Sequence, residues 1–207
     1  MLEICLILLP LLGAIISGFL IFSEKSKQID RVAQWVTCGA MCLASLLACI
    51  VFLDVTINKN PNTIELFSWI QSGSLKVSWA IKLDTLSAIM LLMVTTVSTV
   101  IHFYSIGYMQ QDKSIPRFMS YLSLFTFFML MLVSSDNLVQ LFFGWEGVGL
   151  ASYLLIGFWY DRPAANAAAV KAFIVNRVGD FGFAIGIFAI FTIFKSVDFD
   201  TIFTSVP

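Results

Sequence analysis

Apolar residues along this chain fall into six long runs that are separated by shorter polar segments. A helix needs about 20 mostly apolar residues to cross the hydrocarbon core of a bilayer, so the pattern predicts six membrane-spanning α-helices. The first run has no basic flank and no small-residue cleavage site, so we expect a span and not a signal peptide. The predicted spans are Leu2–Phe22, Val32–Leu53, Thr85–Gly107, Phe118–Val133, Leu138–Trp159 and Ala172–Phe194.

The segment between the second and third runs has a different pattern. Apolar and polar residues alternate loosely from Thr63 to Leu83 and are interrupted by the turn-like stretch Gln71–Ser74. Alternation on both sides of a turn predicts a β-hairpin, and Trp69 and Trp79 suit a membrane–water interface. We expect a short external β-hairpin on the membrane surface whose free edge can receive a neighbouring subunit. An irregular loop is the alternative.

Composition supports a membrane protein. Hydrophobic residues make up 59% of the 207 residues and charged residues only 12%, whereas soluble domains carry about 25% charged residues. The formal net charge of −1 argues against a nucleic-acid partner, which favours a basic surface. We therefore predict an all-α membrane protein embedded in the lipid bilayer. Its predicted parts are helices 1–2 in residues 1–53, the hairpin in 54–83, helices 3–4 in 84–134 and helices 5–6 in 135–207.

Basic residues in the connecting segments are divided unequally between the two ends of the predicted bundle. The positive-inside rule places the more basic end at the cytoplasm or matrix and the N-terminus outside. The basic end carries Lys25, Lys27, Arg31, Lys113, Arg117, Arg162 and Lys171, and the opposite end carries Lys59, Lys76, Lys82 and Lys195.

Apart from Glu3, which lies near the end of the first span, three charged residues lie inside predicted spans, where a charge costs at least about 2.5–3.5 kcal/mol. Glu146 is in the fifth run, and Arg177 and Asp180 are in the sixth. Because these spans are antiparallel neighbours, a rise of about 1.5 Å per residue places Glu146 near mid-depth and Asp180 close to the same level. Arg177 and Asp180 can pair on one helix face, and a purely structural ion pair is the alternative to a transport role.

Glu146 has no cation beside it in its own run. A carboxyl group at this depth, able to take up and release a proton, is the kind of group that proton relays in pumps use. Small residues surround Glu146 and allow either close helix approach or local unwinding, so that water or a partner side chain can reach it. They are Gly144, Gly147, Gly149 and Ser152.

Two further residues are candidates for a proton path. His102 is the only histidine, and a proton relay and a satisfied structural histidine are both open interpretations. Lys171 begins the sixth run and is either an interfacial anchor or the cytoplasmic end of the path. The four cysteines lack the paired spacing of a metal or redox site, and no nucleotide-binding motif occurs. We expect the chain itself to bind no cofactor and no metal.

Several stretches of the chain are distinctive enough to indicate a family. They are Ile81–Ser87, His102–Met109, Phe142–Trp159 and Lys171–Gly182. Together they resemble the N-terminal part of subunit L of NADH-quinone oxidoreductase, the chain 5 family of respiratory complex I. The resemblance extends over essentially the whole chain.

The resemblance implies an antiporter-like, proton-translocating subunit of the complex I membrane arm, next to another antiporter-like subunit. In such a subunit Glu146 matches the glutamate of the pumping unit, and Asp180 and Arg177 match charged positions near it. The chain would be part of an enzyme without carrying redox chemistry, because NADH, FMN, iron–sulfur clusters and quinone belong to other parts of the complex. The implied location is the bacterial inner membrane or the mitochondrial inner membrane.

Members of this family have several hundred residues and pair the glutamate with a lysine in a later helix, whereas this chain stops at Pro207. Residues 135–207 would then hold only the start of the antiporter-like domain, and we expect a truncated product, a fragment or one part of a split gene. Two other functions stay open. One is the large subunit of a multisubunit Na⁺/H⁺ antiporter, which resembles the same family, and the other is a non-pumping assembly scaffold.

Overall fold

The structure is a computed structural model that describes residues 1–23, 26–73 and 75–205. Within these residues, six helices are long and apolar enough to cross a membrane, and a two-stranded sheet lies between the second and third. The predicted fold class is therefore confirmed. The elements are α1 (Leu2–Leu20), α2 (Lys27–Thr56), β1 (Asn62–Ser72), β2 (Leu75–Leu83), α3 (Thr85–Tyr108), α4 (Ile115–Val133), α5 (Leu138–Ile156), α6 (Pro163–Phe194) and α7 (Phe199–Ser205).

Some predicted bounds differ from the observed ones. The helix α6 begins nine residues before the predicted Ala172, because Pro163 suits the first helical turn and the following alanines favour helix. The short helix α7 was not predicted. Parts of two predicted segments lie outside the described residues, namely Glu24 and Lys25 in the first basic loop and Ser74 in the hairpin turn.

Side-chain caps fix where three helices begin. Ser26 accepts a hydrogen bond from the amide of Gln28 at the start of α2. Asp84, which begins α3, accepts one from Ser87 at 2.7 Å. Asn137 caps α5 by accepting a bond from Gln140 at 2.9 Å. Each cap satisfies an amide that would otherwise lack an intrahelical partner.

The first four spans form the main body of the bundle. The helix α1 packs against α2 and α4, and α3 packs against α2 and α4. Leu6, Ala48, Leu91 and Leu130 belong to the core between them. The helix α5 then packs against α4, and α6 packs mainly against α5. Large apolar side chains on the outer faces, such as Phe181, suit contact with lipid.

Hydroxyl groups connect α4 to α1 within this body. Ser17 donates a hydrogen bond to the carbonyl of Pro116, and Ser120 donates one to the carbonyl of Ala14, each at 2.7 Å. Apolar burial gives little drive for helix association in lipid, so small residues and interhelical hydrogen bonds take a larger share.

The hairpin is anchored to the N-terminal end of α5. Gln140 is fully buried, and its side-chain amide accepts from the Ala80 N–H at 3.0 Å and donates to the Ala80 carbonyl at 2.7 Å. Asn137 donates to the carbonyl of Ser78 at 2.8 Å. All three bonds go to β2, whose residues are mostly buried or half-buried, whereas β1 is mostly exposed. The α4–α5 connection and α5 therefore fix the position of the hairpin.

The two tryptophans of the hairpin pack against each other and against α5. The Trp69 and Trp79 rings are 4.8 Å apart between centroids, and Trp79 lies 5.0 Å from the Phe143 ring. Two register shifts, between Glu65 and Phe67 and between Ser68 and Ile70, interrupt the alternation along β1. Such bulges place successive side chains on one face, which explains why the sequence alternates only loosely there.

Candidate functional site

Three charged residues meet where two neighbouring helices, α5 and α6, face each other. Arg177 on α6 donates a hydrogen bond to Glu146 Oε2 on α5, and its Nη1 lies 3.8 Å from Asp180 Oδ2. The Asp180 side chain is 8% exposed, that of Glu146 is 23% exposed and that of Arg177 is 50% exposed, so the carboxylates are more buried than the guanidinium. The primary partner of Arg177 is therefore Glu146 rather than Asp180, which the spacing along α6 had suggested. We call these three residues the charged triad.

Trp145 completes the surroundings of the triad. Its indole N–H donates to Asp180 Oδ1 at 2.8 Å, while the other carboxylate oxygen faces Arg177. The sequence interpretation did not include Trp145. A signal was present, because the indole N–H of a tryptophan within a span needs a hydrogen-bond partner.

Two glycines bring α5 close to α4 and so position Glu146. A Cβ atom at Gly144 would lie 2.7 Å from the backbone of Leu132, and one at Gly147 would lie 2.1 Å from the Phe128 ring. These distances are shorter than a carbon contact permits, so both positions require glycine in this packing. The helix α5 continues unbroken from Leu138 to Ile156. The glycines therefore serve close approach and not local unwinding.

A cavity of about 460 Å³ lies beside the triad between α4, α5 and α6. A buried water needs a few tens of Å³ and several polar partners, so the cavity has room for a short chain of waters. Ser152, Asn176 and Asp180 supply polar groups, and apolar side chains of α4 form the opposite wall. The carboxylate of Asp180 thus borders this cavity.

The formal charges of the triad do not cancel. With both carboxylates ionised and Arg177 protonated the net charge is −1, and uptake of one proton makes it zero. Arg177 is near both carboxylates, so it can stay paired whichever of them is neutral. In a low-dielectric interior such a change of one charge is felt strongly by neighbouring ionisable groups.

The other two predicted site residues lie elsewhere. His102 is fully buried, with Nδ1 2.8 Å from the Ser98 carbonyl and Nε2 3.0 Å from the Ser123 hydroxyl. A carbonyl can only accept, so Nδ1 carries a proton, and in a neutral ring Nε2 then accepts from the Ser123 hydroxyl. Lys171 is exposed on α6, and the ion pairs found within the described residues do not include it.

A second group of charges, which the sequence did not indicate, lies at the hairpin end of the bundle, the end predicted to be external, and we call it the outer group. Lys82 on β2 forms ion pairs with Asp200 on α7 and with Asp136, at 3.5 Å, in the α4–α5 connection. Burial alone would lower the pKa of Lys82, but its bond to Asp200 and the two negative charges outweigh burial and raise it. Burial raises the pKa of Asp136, as does the charge of Asp198, and both outweigh the attraction to Lys82.

This outer group makes stability depend on pH in a defined direction. A carboxyl whose pKa is raised by folding favours the folded state when protonated, so its contribution is lost as pH rises through that raised pKa. Asparagine does not titrate, so the Asp136→Asn variant should lack this loss of stability. We therefore expect the unfolding temperature of the variant, minus that of the unaltered chain, to increase from pH 3.5 to pH 7. Thermal unfolding of both proteins in detergent measures the difference. A constant difference across this range would contradict the burial of an ionised Asp136.

Two family models match the chain. Residues 69–119 match the model described as NADH-ubiquinone oxidoreductase (complex I), chain 5 N-terminus. Residues 135–206, which include the charged triad, match the model described as NADH:quinone oxidoreductase/Mrp antiporter, TM.

Individual relatives agree with the family models. NADH-quinone oxidoreductase subunit L of Rhodobacter capsulatus is 54% identical over 98% of this chain and 28% of the relative. NADH-ubiquinone oxidoreductase chain 5 of Chondrus crispus is 50% identical over 98% of this chain and 30% of the relative. The chain thus spans under a third of the length of these relatives.

The fold also matches a solved structure. A chain of the membrane-bound sulfane sulfur reductase (MBS), an archaeal respiratory membrane complex, superimposes with a TM-score of 0.83 over 99% of this chain and 40% of that chain. Its sequence is 17% identical, so this likeness concerns the fold alone. The sequence matches carry the assignment: the chain belongs to the family of NADH-quinone oxidoreductase subunit L and NADH-ubiquinone oxidoreductase chain 5, and it corresponds to the N-terminal portion of that family.

Proposed function

We propose that this chain is part of an antiporter-like membrane-arm subunit that couples electron transfer from NADH to quinone to proton translocation. The observation that carries the proposal is the charged triad, in which Arg177 on one membrane-spanning helix contacts Glu146 on the next and lies near Asp180. Charges at this depth are costly, and a cluster with one more carboxylate than cation is suited to binding a proton.

The geometry supports a simple sequence of events. Glu146, paired with Arg177, takes up a proton and becomes neutral. Arg177 then loses its main partner and moves towards Asp180, which already lies 3.8 Å away and is held on its other side by Trp145. A change of charge at a neighbouring site reverses the shift, and Glu146 releases its proton. The cavity beside Asp180 supplies room for the water that carries it.

The remaining site residues have different parts in the proposal. Lys171 lies about 9 Å along the helix axis from Arg177, towards the basic end, and is proposed as the inner end of the proton path. His102 has both ring nitrogens engaged by α3 and α4. These bonds favour a role in holding the two helices together over a role as a relay.

The wider setting follows from family membership. NADH oxidation, FMN, iron–sulfur clusters and quinone are proposed to belong to other subunits of the same complex. The proposed partners are the other membrane-arm subunits, above all the adjacent antiporter-like subunit. The proposed location is the bacterial inner membrane or the mitochondrial inner membrane.

The test is proton movement by the complex that contains this chain. The complex is purified, reconstituted in liposomes and supplied with NADH and a short-chain ubiquinone, and acidification of the lumen is followed with a pH-sensitive dye. We expect NADH-dependent acidification that an uncoupler abolishes. NADH oxidation without acidification would contradict the proposal.

The family model over residues 135–206 also covers Mrp antiporters, which supports the Na⁺/H⁺ antiporter as the second candidate. An antiporter would change lumenal pH in response to a Na⁺ gradient with no NADH present. The same liposomes distinguish the two functions when Na⁺ replaces NADH as the driving force.

A further inference from the structure

A second cavity, separate from the triad, lies at the basic end of the bundle. It occupies about 460 Å³ between the ends of α4, α5 and α6. Its wall combines one charged group, several phenols, an amide and apolar side chains. The residues that matter here are Arg117, Tyr121, Tyr153, Phe158, Tyr160 and Asn166.

Arg117 is held rigidly in the wall of this cavity. Its Nη2 donates to the Phe158 carbonyl at 3.0 Å, and its guanidinium carbon lies 4.6 Å from the Phe158 ring centroid and 4.9 Å from that of Tyr160. These contacts fix the guanidinium plane without neutralising its charge. A guanidinium so restrained loses little conformational entropy when it binds a ligand.

Arg117 lacks an anionic partner within the described part of the chain. The ion pairs found there do not include it, and its Nε atom is buried with no hydrogen-bond partner. Buried donors in folded proteins are nearly always satisfied by a protein group, a water or an ion, and the charge of Arg117 is not balanced by any of these ion pairs. An anion with several oxygens is the natural match, because a guanidinium forms strong charge-assisted hydrogen bonds with such groups.

The phenols extend the set of available donors. The hydroxyl groups of Tyr121, Tyr153 and Tyr160 make no hydrogen bond to any residue that the structure describes. Each can donate to an oxygen of an anion bound at Arg117. Leu154 and Val170 supply apolar wall beside these polar groups. The cavity therefore offers both an anion site and an apolar surface.

We propose that this cavity binds the phosphate headgroup of an anionic phospholipid. The cavity lies where spans end, which is the depth at which lipid headgroups lie, and at the end that carries most of the basic residues. Basic pockets between spans on this side of a membrane are suited to anionic headgroups. The apolar wall accommodates the start of an acyl chain. Free phosphate would not use this wall. The site is independent of proton translocation.

The test titrates the purified chain in detergent with phosphatidylglycerol or phosphatidylcholine and follows bound lipid by native mass spectrometry. We expect phosphatidylglycerol to bind at least about tenfold more tightly than phosphatidylcholine, and Arg117→Gln to remove that preference. Arg31→Gln is the matched control, because Arg31 is an exposed arginine at the same end and does not line the cavity. It should bind as the unaltered chain does.

A second variant tests the same cavity in case Arg117→Gln does not fold. Tyr121→Phe combined with Tyr153→Phe keeps the rings and removes two hydroxyls, and we expect it to weaken phosphatidylglycerol binding about threefold to tenfold. Equal losses in the Arg117 and Arg31 variants would reduce the effect to general charge attraction and overturn the proposal. Displacement of the lipid by millimolar inorganic phosphate would assign the site to free phosphate and also overturn it.

Discussion

Glu146→Gln is expected to lower proton translocation at least about tenfold in the assembled complex while leaving assembly nearly unchanged. Glutamine has the shape of glutamate, and its carbonyl oxygen can still accept the hydrogen bond that Arg177 donates to Glu146. It cannot take up and release a proton. The packing of α5 against α6 should therefore survive while the proposed chemistry fails.

Two measurements separate these effects. Native electrophoresis gives the amount of assembled complex, and lumenal acidification of liposomes per NADH oxidised gives translocation. Glu65→Gln is the control, since Glu65 is exposed on β1 and outside the triad. Normal acidification in Glu146→Gln would refute the role of the triad and leave the assembly scaffold as the better interpretation.

Gly144→Ala is expected to destabilise the bundle by about 3 kcal/mol, the upper end of what overpacking costs. The added Cβ would lie 2.7 Å from the N and Cα atoms of Leu132. Those are backbone atoms, so no change of rotamer relieves the clash, and α5 must move away from α4. Because Glu146 is two residues away on the same helix, its contact with Arg177 should be disturbed as well.

Gly179→Ala on α6 is the matched comparison for this prediction. Nothing lies within 4 Å of a Cβ placed at Gly179, and alanine favours helix by roughly 1 kcal/mol over glycine. Its unfolding temperature in detergent should be equal to or above that of the unaltered chain. If both alanine variants unfold at the same temperature, close α4–α5 contact at Gly144 is not what holds the site together.

Hydrophobic pattern was sufficient to predict the spans, because each needs only length and apolarity. The hairpin was also predictable, since alternation and a turn are local signals. The start of α6 was not predictable in this way, because Asp161, Arg162 and Pro163 resemble a loop, although Pro163 and the alanines after it favour the first turns of a helix. The docking of β2 on Gln140 could not be predicted from local sequence patterns, since it joins residues 60 positions apart.

Part of the candidate site followed from the sequence and part did not. Counting residues from the α5–α6 connection placed Glu146 and Asp180 at similar depth, which the structure agrees with through their shared contact to Arg177. The choice of Glu146 as the main partner of Arg177 depends on how far each helix is rotated about its axis. That rotation is set by tertiary packing, including the fit of Gly144 and Gly147 against α4, and spacing along one helix carries no information on it.

The bond between Gln140 and Ala80 joins a span to a strand outside it. Gln140 is six residues, about 9 Å of helix, from Glu146 on the same rigid rod. The Ala80 amide is consequently shielded from solvent deuterium only while α5 keeps its place. The rate of hydrogen–deuterium exchange at the Ala80 amide therefore reports on the position of α5, the helix that carries Glu146.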